Sequence, residues 1–168
     1  MYKKLTSKLA LHEFPNGYEV ARGLNRQIHF HLGPTNSGKT YQALLKLQAA
    51  ESGVYLAPLR LLAMEIRDRL MEVGVPCNLI TGEERQLISG AKHTACTIEM
   101  MNPNQAVEVA IIDEIQMLQD EARGYAWTAA LIGAPAKEVF VCGANSVTAP
   151  CIRSIESLGE QYDITHLE

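Results

Sequence analysis

The sequence predicts an α/β domain whose sheet is mainly parallel and flanked by helices, and three observations carry that expectation. Gly33 to Thr40 reads GPTNSGKT and matches the phosphate-binding pattern G-x-x-x-x-G-K-[ST] at every fixed position. An apolar β-type segment, Val107 to Ile112, runs directly into the acid pair Asp113-Glu114. Around both, short β-prone runs alternate with helix-prone runs, the order that builds crossover-connected parallel sheets.

Residues 1–26 read as an N-terminal arm with a turn at Pro15-Asn16-Gly17 and no clear periodicity, and residues 27–168 as the nucleotide-binding domain. Gln27 to Leu32 is β-prone, and Tyr41 to Leu47, rich in Leu and Ala, is helix-forming, which is the strand, loop, helix context a P-loop requires. Glu51-Ser52-Gly53 ends that helix and Val54 to Ala57 follows as a buried strand. Pro58-Leu59-Arg60 leads into a helix with Leu62, Ile66, Leu70 and Val73 on one face, stopped by Gly74 and Pro76. Cys77 to Ile80 and Thr94 to Ile98 are further strands, with a turn at Asn102-Pro103-Asn104. A helix around Tyr125 to Ile132 stops at Gly133 and Pro135, before a strand at Val139 to Cys142. Right-handed crossovers place the ligand at the C-terminal ends of such strands.

At 168 residues, 47% of them hydrophobic, the chain suits one domain with a sizeable core. No apolar run approaches the ~20 residues of a membrane span, and the first residues lack signal or transit character, so the expected location is cytoplasmic, without a membrane partner. Cys77, Cys96, Cys142 and Cys151 form no C-x-x-C pair and read as buried reduced thiols. Residues 1–100 hold 12 Lys+Arg against 9 Asp+Glu, whereas residues 101–168 hold 3 against 10, which excludes a protein that grips nucleic acid through a broad basic surface. The acidic part reads as a solvated face. His29, His31 and His93 lack metal-ligand spacing, and Trp127, Met100 and Met117 read as core.

The glycines of Gly33-Pro34-Thr35-Asn36-Ser37-Gly38-Lys39-Thr40 let backbone N–H groups converge on an anion, helped by the dipole of the following helix. Lys39 is expected to reach the β- and γ-phosphates of ATP or another nucleoside triphosphate, with the Thr40 hydroxyl on Mg²⁺. Asp113 is expected to hold the same Mg²⁺ through water, and Glu114 to orient and deprotonate the water that attacks the γ-phosphate.

Five separated stretches share one family pattern: GPTNSGKT, APLRLLAMEI from Ala57, GVPCNLITGEER from Gly74, HTACTIEM from His93, and IIDEIQM with ARGYAWTAALIG. In that order they resemble the first motor lobe of RNA helicases of the mitochondrial-degradosome type, in superfamily two. The resemblance implies a RecA-like P-loop NTPase domain, the NTP-binding lobe of a helicase that couples ATP hydrolysis to unwinding of RNA, or of DNA. It assigns nucleic-acid phosphates to Pro58, Arg60, Thr81, Gly82 and Thr97, hydroxyl, amide and guanidinium donors whose grip would be largely independent of sequence. Thr81-x-x-Glu84 also fits a capping box. Gln116 takes the catalytic-motif position that other helicases fill with the Asp or His of DEAD and DEAH. The resemblance further implies a second RecA-like lobe carrying arginine fingers, so that the chain is a truncated motor, a ribonuclease as partner, and the mitochondrial matrix for some members.

Gly143 to Ser146 occupies the place of the motif that couples hydrolysis to strand movement, yet fits it poorly. No adenine-reading Gln motif precedes Gln27. Type-two thymidine kinases are a rival resemblance, with a GPMFSGK-like loop and a DEAQF box, but their paired-cysteine zinc motif is missing here. The other rival is a non-catalytic, nucleotide-dependent binding module for RNA or protein, against which intact Lys39, Asp113 and Glu114 argue.

Overall fold

The computed structural model describes residues 18–34 and 40–167. After a short helix α1 (Glu19–Gly23) come β1 (Gln27–Leu32), α2 (Tyr41–Ala49), β2 (Gly53–Ala57), α3 (Arg60–Glu72), β3 (Cys77–Ile80), β4 (Arg85–Gln86) and β5 (His93–Thr97). The chain continues through β6 (Val107–Ile112), α4 (Gly124–Gly133), β7 (Ala136–Gly143), α5 (Thr148–Ser157) and β8 (Gln161–His166). Short 3₁₀ turns occupy Ile98–Met100, Ile115–Gln119 and Asn145–Val147. Among the described residues the eight strands join one sheet in the order β4-β3-β5-β2-β6-β7-β1-β8, in which only the β3–β4 pair is antiparallel.

The alternation of side chains along each strand splits the interior into two cores. In β6, Val109 and Ile111 face α2 and α3, whereas Ala110 and Ile112 face α4 and α5. Burial of both faces explains why β2 and the second half of β6 read as nearly continuous apolar runs. All four cysteines are buried with free thiols. Among the described residues no helix is long and apolar enough to cross a membrane.

Several expectations shift. Val73 is 53% exposed, because α3 ends at Glu72 and the chain turns away at Gly74 with φ 84°; Ala63 joins Ile66 and Leu70 on the buried face instead. Met100 closes the 3₁₀ turn after β5 and is exposed rather than core, whereas Trp127 is fully buried. Helix α5, anchored by Cys151 and Ile155, and strand β8 complete the domain beyond the last anticipated strand.

The acidic C-terminal part is not uniformly solvated. Glu160 binds Arg26, whose Nε and Nη2 donate to its two oxygens at 2.7 and 2.6 Å, and Arg22 adds a third contact at 3.2 Å. The fully buried Arg26 also donates to the carbonyls of Ala134 (3.0 Å) and Leu131 (2.9 Å), and Arg22 to that of Ile132 (2.6 Å), so two guanidinium groups cap the C-terminal end of α4. Arg26→Ala leaves Glu160 with only the longer Arg22 contact and removes the donors to both the Ala134 and Leu131 carbonyls. The expected loss in thermal unfolding is about 3–5 kcal/mol, and a loss below ~1 kcal/mol would show the clamp to be dispensable.

Candidate functional site

Because the strands are parallel, their C-terminal ends bring the sequence-selected groups to one edge of the sheet. From β1 the chain enters the phosphate loop at Gly33 and Pro34; Thr35, Asn36, Ser37, Gly38 and Lys39 lie outside the described residues. The Gly33 N–H donates to the Gly143 carbonyl at 3.0 Å, joining the loop to the end of β7. Thr40 then opens α2, its carbonyl accepting the Leu44 N–H at 2.9 Å.

Asp113 follows β6 and is buried, 5% exposed. Its N–H donates to the Leu56 carbonyl (3.3 Å) and its carbonyl accepts Trp127 Nε1–H (2.8 Å), so backbone and indole fix where the side chain starts. One carboxylate oxygen, Oδ2, accepts the Tyr55 hydroxyl at 2.6 Å. The other, Oδ1, accepts the Glu114 N–H at 2.9 Å and the Thr40 hydroxyl at 3.3 Å. Burial raises the Asp113 carboxyl above the ordinary range, the Tyr55 hydrogen bond opposes that rise, and the Glu114 charge adds to it. Burial, then the Asp113 charge, drives the Tyr55 phenol far up, so it stays a protonated donor.

Mg²⁺ prefers oxygen ligands and is typically held by one or two carboxylates with waters and substrate phosphates. An alcohol oxygen and a carboxylate oxygen 3.3 Å apart beside the phosphate loop meet that need, and among the described residues no Lys or Arg is paired with Asp113. Thr40 and Asp113 therefore fit the ion chemically.

Glu114 adopts φ 55° and ψ 54°, and is the non-glycine residue with positive φ among those described. Strain of this kind collects at functional sites. The bend turns the chain into the 3₁₀ segment carrying Gln116, whose Nε2 donates to Glu114 Oε1 while its Oε1 accepts the Ala144 N–H at 3.1 Å. Gly143 has to be small, since a Cβ there would lie 2.6 Å from Gln116 Oε1 and 2.7 Å from the Ile115 nitrogen. Thus Gln116 joins the acid pair to Gly143-Ala144-Asn145-Ser146, despite that segment's poor match to a coupling motif.

The five residues assigned to nucleic acid share the same edge, on its β3–β5–β2 side. Pro58 is buried just after β2 and Arg60 is exposed at the start of α3. Thr81 is buried and Gly82 exposed after β3, and Thr97 ends β5 opposite Ala57. Arg60 is held by Glu84 through two hydrogen bonds (2.7 and 3.3 Å), with Glu83 at 3.2 Å. The Thr81 hydroxyl accepts the N–H groups of Glu83 and Glu84, both at 3.1 Å, and donates to the Glu84 carboxylate at 3.1 Å. These bonds resemble a capping box, but the Thr81 N–H donates to the Glu84 carbonyl (2.9 Å) and the turn leads into β4, so no helix is capped.

The histidines have structural partners: His93 Nε2 meets the Leu47 carbonyl at 2.9 Å, and His29 lies between Asp163 (2.8 Å) and Glu138 (3.0 Å) while stacking on Phe140. Sequence reading missed Tyr55 as a partner of Asp113, and Glu84 as the partner of Arg60 as well as of Thr81. The available signal for Tyr55 was a lone hydroxyl in an otherwise apolar strand.

Across residues 15–167 the chain matches the family described as the DEXQ-box helicase domain of Suv3. The chain belongs to this Suv3 helicase-domain family. It is 48% identical over 154 residues to the human mitochondrial ATP-dependent RNA helicase SUPV3L1, covering 89% of this chain and 20% of that protein. The Caenorhabditis elegans SUV3 homolog is 46% identical over 157 residues, 91% of this chain and 22% of the relative. The Arabidopsis thaliana helicase DExH18 is 41% identical over 167 residues, 99% and 22%. The chain thus spans about a fifth of the length of these relatives.

Among solved structures, the Pyrococcus furiosus Hef helicase domain aligns with TM-score 0.55 and 20% identity over 91% of this chain and 37% of that one. An Arterivirus nonstructural protein 10 helicase, solved with DNA, aligns with TM-score 0.56 and 14% identity over 90% and 37%. At those identities the likeness shows the helicase-type RecA fold. The DEIQ sequence at Asp113 to Gln116 suits a Suv3-type DEXQ box, and the thymidine-kinase and non-catalytic readings are not favoured. The expected cytoplasmic location draws no support from these three relatives, whose names carry the word mitochondrial.

A raised carboxyl favours the folded state fully below its unfolded value, and that advantage is lost as pH rises through the folded value. In metal-free buffer at pH 7, Asp113→Asn is therefore expected to raise the unfolding temperature. The gain should close on acidification towards the ordinary carboxylate range; equal stability of both proteins across pH 4–7 in scanning calorimetry would refute it.

Proposed function

We propose that this chain is the nucleotide-binding motor lobe of a longer ATP-dependent RNA helicase. The observation that carries the reading is the Thr40 hydroxyl 3.3 Å from Asp113 Oδ1, joining the exit of the phosphate loop to the DEIQ box. In this reading the loop from Gly33 to Thr40 cradles the phosphates through backbone N–H groups, and Lys39 neutralises the β- and γ-phosphates. Thr40 and Asp113 hold Mg²⁺, which when bound offsets charge on the β- and γ-phosphate oxygens.

Glu114 takes a proton from the water that attacks the γ-phosphorus while the bond to the β–γ bridging oxygen breaks, and ADP and phosphate leave. Gln116 orients Glu114 and ties its state to the loop at Ala144. RNA phosphates bind across Pro58, Arg60, Thr81, Gly82 and Thr97, without base readout. A second RecA-like lobe of the parent supplies the arginine fingers and the far wall of the cleft. A ribonuclease partner and a mitochondrial location belong to the same reading, the location supported by the names of the relatives.

An arginine finger is worth on the order of 10³–10⁵ in rate, so the 168-residue chain is expected to bind Mg-nucleotide weakly and to hydrolyse it barely, without RNA stimulation. Lys39→Ala should abolish binding of a fluorescent ADP analogue. Brisk RNA-stimulated turnover by the chain alone, lost in Glu114→Gln, would overturn the need for a second lobe.

The Glu84 carboxylate occupies the guanidinium that an RNA phosphate would use. Glu84→Gln is expected to tighten binding of an oligouridylate by about two- to fivefold, read by fluorescence anisotropy at fixed salt. Weaker binding would mean that Glu84 orients Arg60 rather than competing for it.

A further inference from the structure

Strand β2 is apolar apart from one hydroxyl. Tyr55 is 1% exposed and packs in the core formed with α2 and α3, where phenylalanine would fill the same space. Its phenol oxygen lies 2.6 Å from Asp113 Oδ2. A carboxylate rotates easily about its last bond, whose torsion is broad and two-fold. The Glu114 N–H and Thr40 hydroxyl both contact Oδ1, and would leave the plane of the group free to turn about that oxygen. The phenol supplies the second point of attachment, on the opposite oxygen and from the neighbouring strand, and holds Oδ1 towards Thr40.

We propose that Tyr55 is a positioning residue for the divalent cation: it orients the Asp113 carboxylate so that Oδ1 and the Thr40 hydroxyl are presented together. This rests on the reading of Thr40 and Asp113 as the cation-holding pair. Mg²⁺ tolerates little departure from octahedral geometry, and partners that orient a metal ligand typically change metal affinity 10- to 100-fold when removed. Tyr55 makes no contact with nucleotide in this scheme, so its removal acts on the cation alone.

The test titrates MgCl₂ into the 168-residue chain with a fluorescent ADP analogue, and measures the analogue separately in EDTA. Tyr55→Phe, which removes one oxygen and keeps the ring, is expected to raise the Mg²⁺ concentration for half-maximal enhancement about tenfold while leaving the EDTA affinity unchanged. In an Asp113→Asn background the same change should add less than about twofold, since the partner it orients is already altered. If Asp113→Asn raises the Mg²⁺ requirement and Tyr55→Phe does not, the positioning role is overturned and the cation pair stands. If neither variant moves it, the cation pair itself is wrong. Equal weakening in EDTA and in Mg²⁺ would make Tyr55 a packing residue only, and would also overturn the proposal.

Discussion

A carboxylate sealed behind the sheet edge is the constraint on which the site depends. Taking Asp113 out of water is costly unless donors replace the lost hydration. The structure supplies them from three directions: the Tyr55 hydroxyl on β2, the Thr40 hydroxyl at the start of α2, and the Glu114 N–H. The Asp113 backbone is secured by Leu56 and Trp127, which fixes the end of β6 against its neighbours. The remaining cost shows in the raised carboxyl, a penalty that a cation at Oδ1 would offset. The fold thus keeps a buried carboxylate at a cost that a neutral side chain of the same shape would not carry.

Strand order divides the functional edge into two territories. Asp113 and Gly33 follow β6 and β1 and Gly143 ends β7 between them, whereas Thr81, Thr97 and Pro58 end or follow β3, β5 and β2. The boundary lies between β2 and β6, where Tyr55 crosses it with a hydrogen bond. Between β6 and β7 the Gln116 side chain repeats the arrangement, spanning from Glu114 to Ala144 and so from one strand end to the next. Each territory is therefore joined to its neighbour by side chains as well as by the sheet.

What could be read from the sequence was what lies close together in it. The phosphate loop and the DEIQ box are each contiguous, with a mostly buried strand running into each, so position and element type were both apparent. The bonds that assemble the site were not, because Tyr55 and Asp113 are 58 residues apart, Gln116 and Ala144 are 28 apart, and Arg60 and Glu84 are 24 apart. Strand β8 escaped because it is an edge strand with polar Gln161, Asp163 and Thr165 on one face, lacking the apolar run that marked the others. Val73 was misplaced for a different reason: periodicity gives the face of a residue but not the turn at which the helix stops.

The pairing of β1 has a consequence for how the domain assembles. That strand leads into the phosphate loop, yet its two neighbours are β7 and β8, so Gln27 is matched with Glu138 and Gln161. During synthesis from the N-terminus, the segment bearing the loop must wait unpaired until more than a hundred residues have followed it. The β2, β3, β5 and β6 strands can meet before then, so that half of the sheet can pair first. Closing β1 against β7 and β8 carries a large loop entropy and belongs to the slow, non-local class of folding steps. A nascent chain would therefore form the Gly33 N–H bond to the Gly143 carbonyl, which ties the loop entrance to β7, among its last steps.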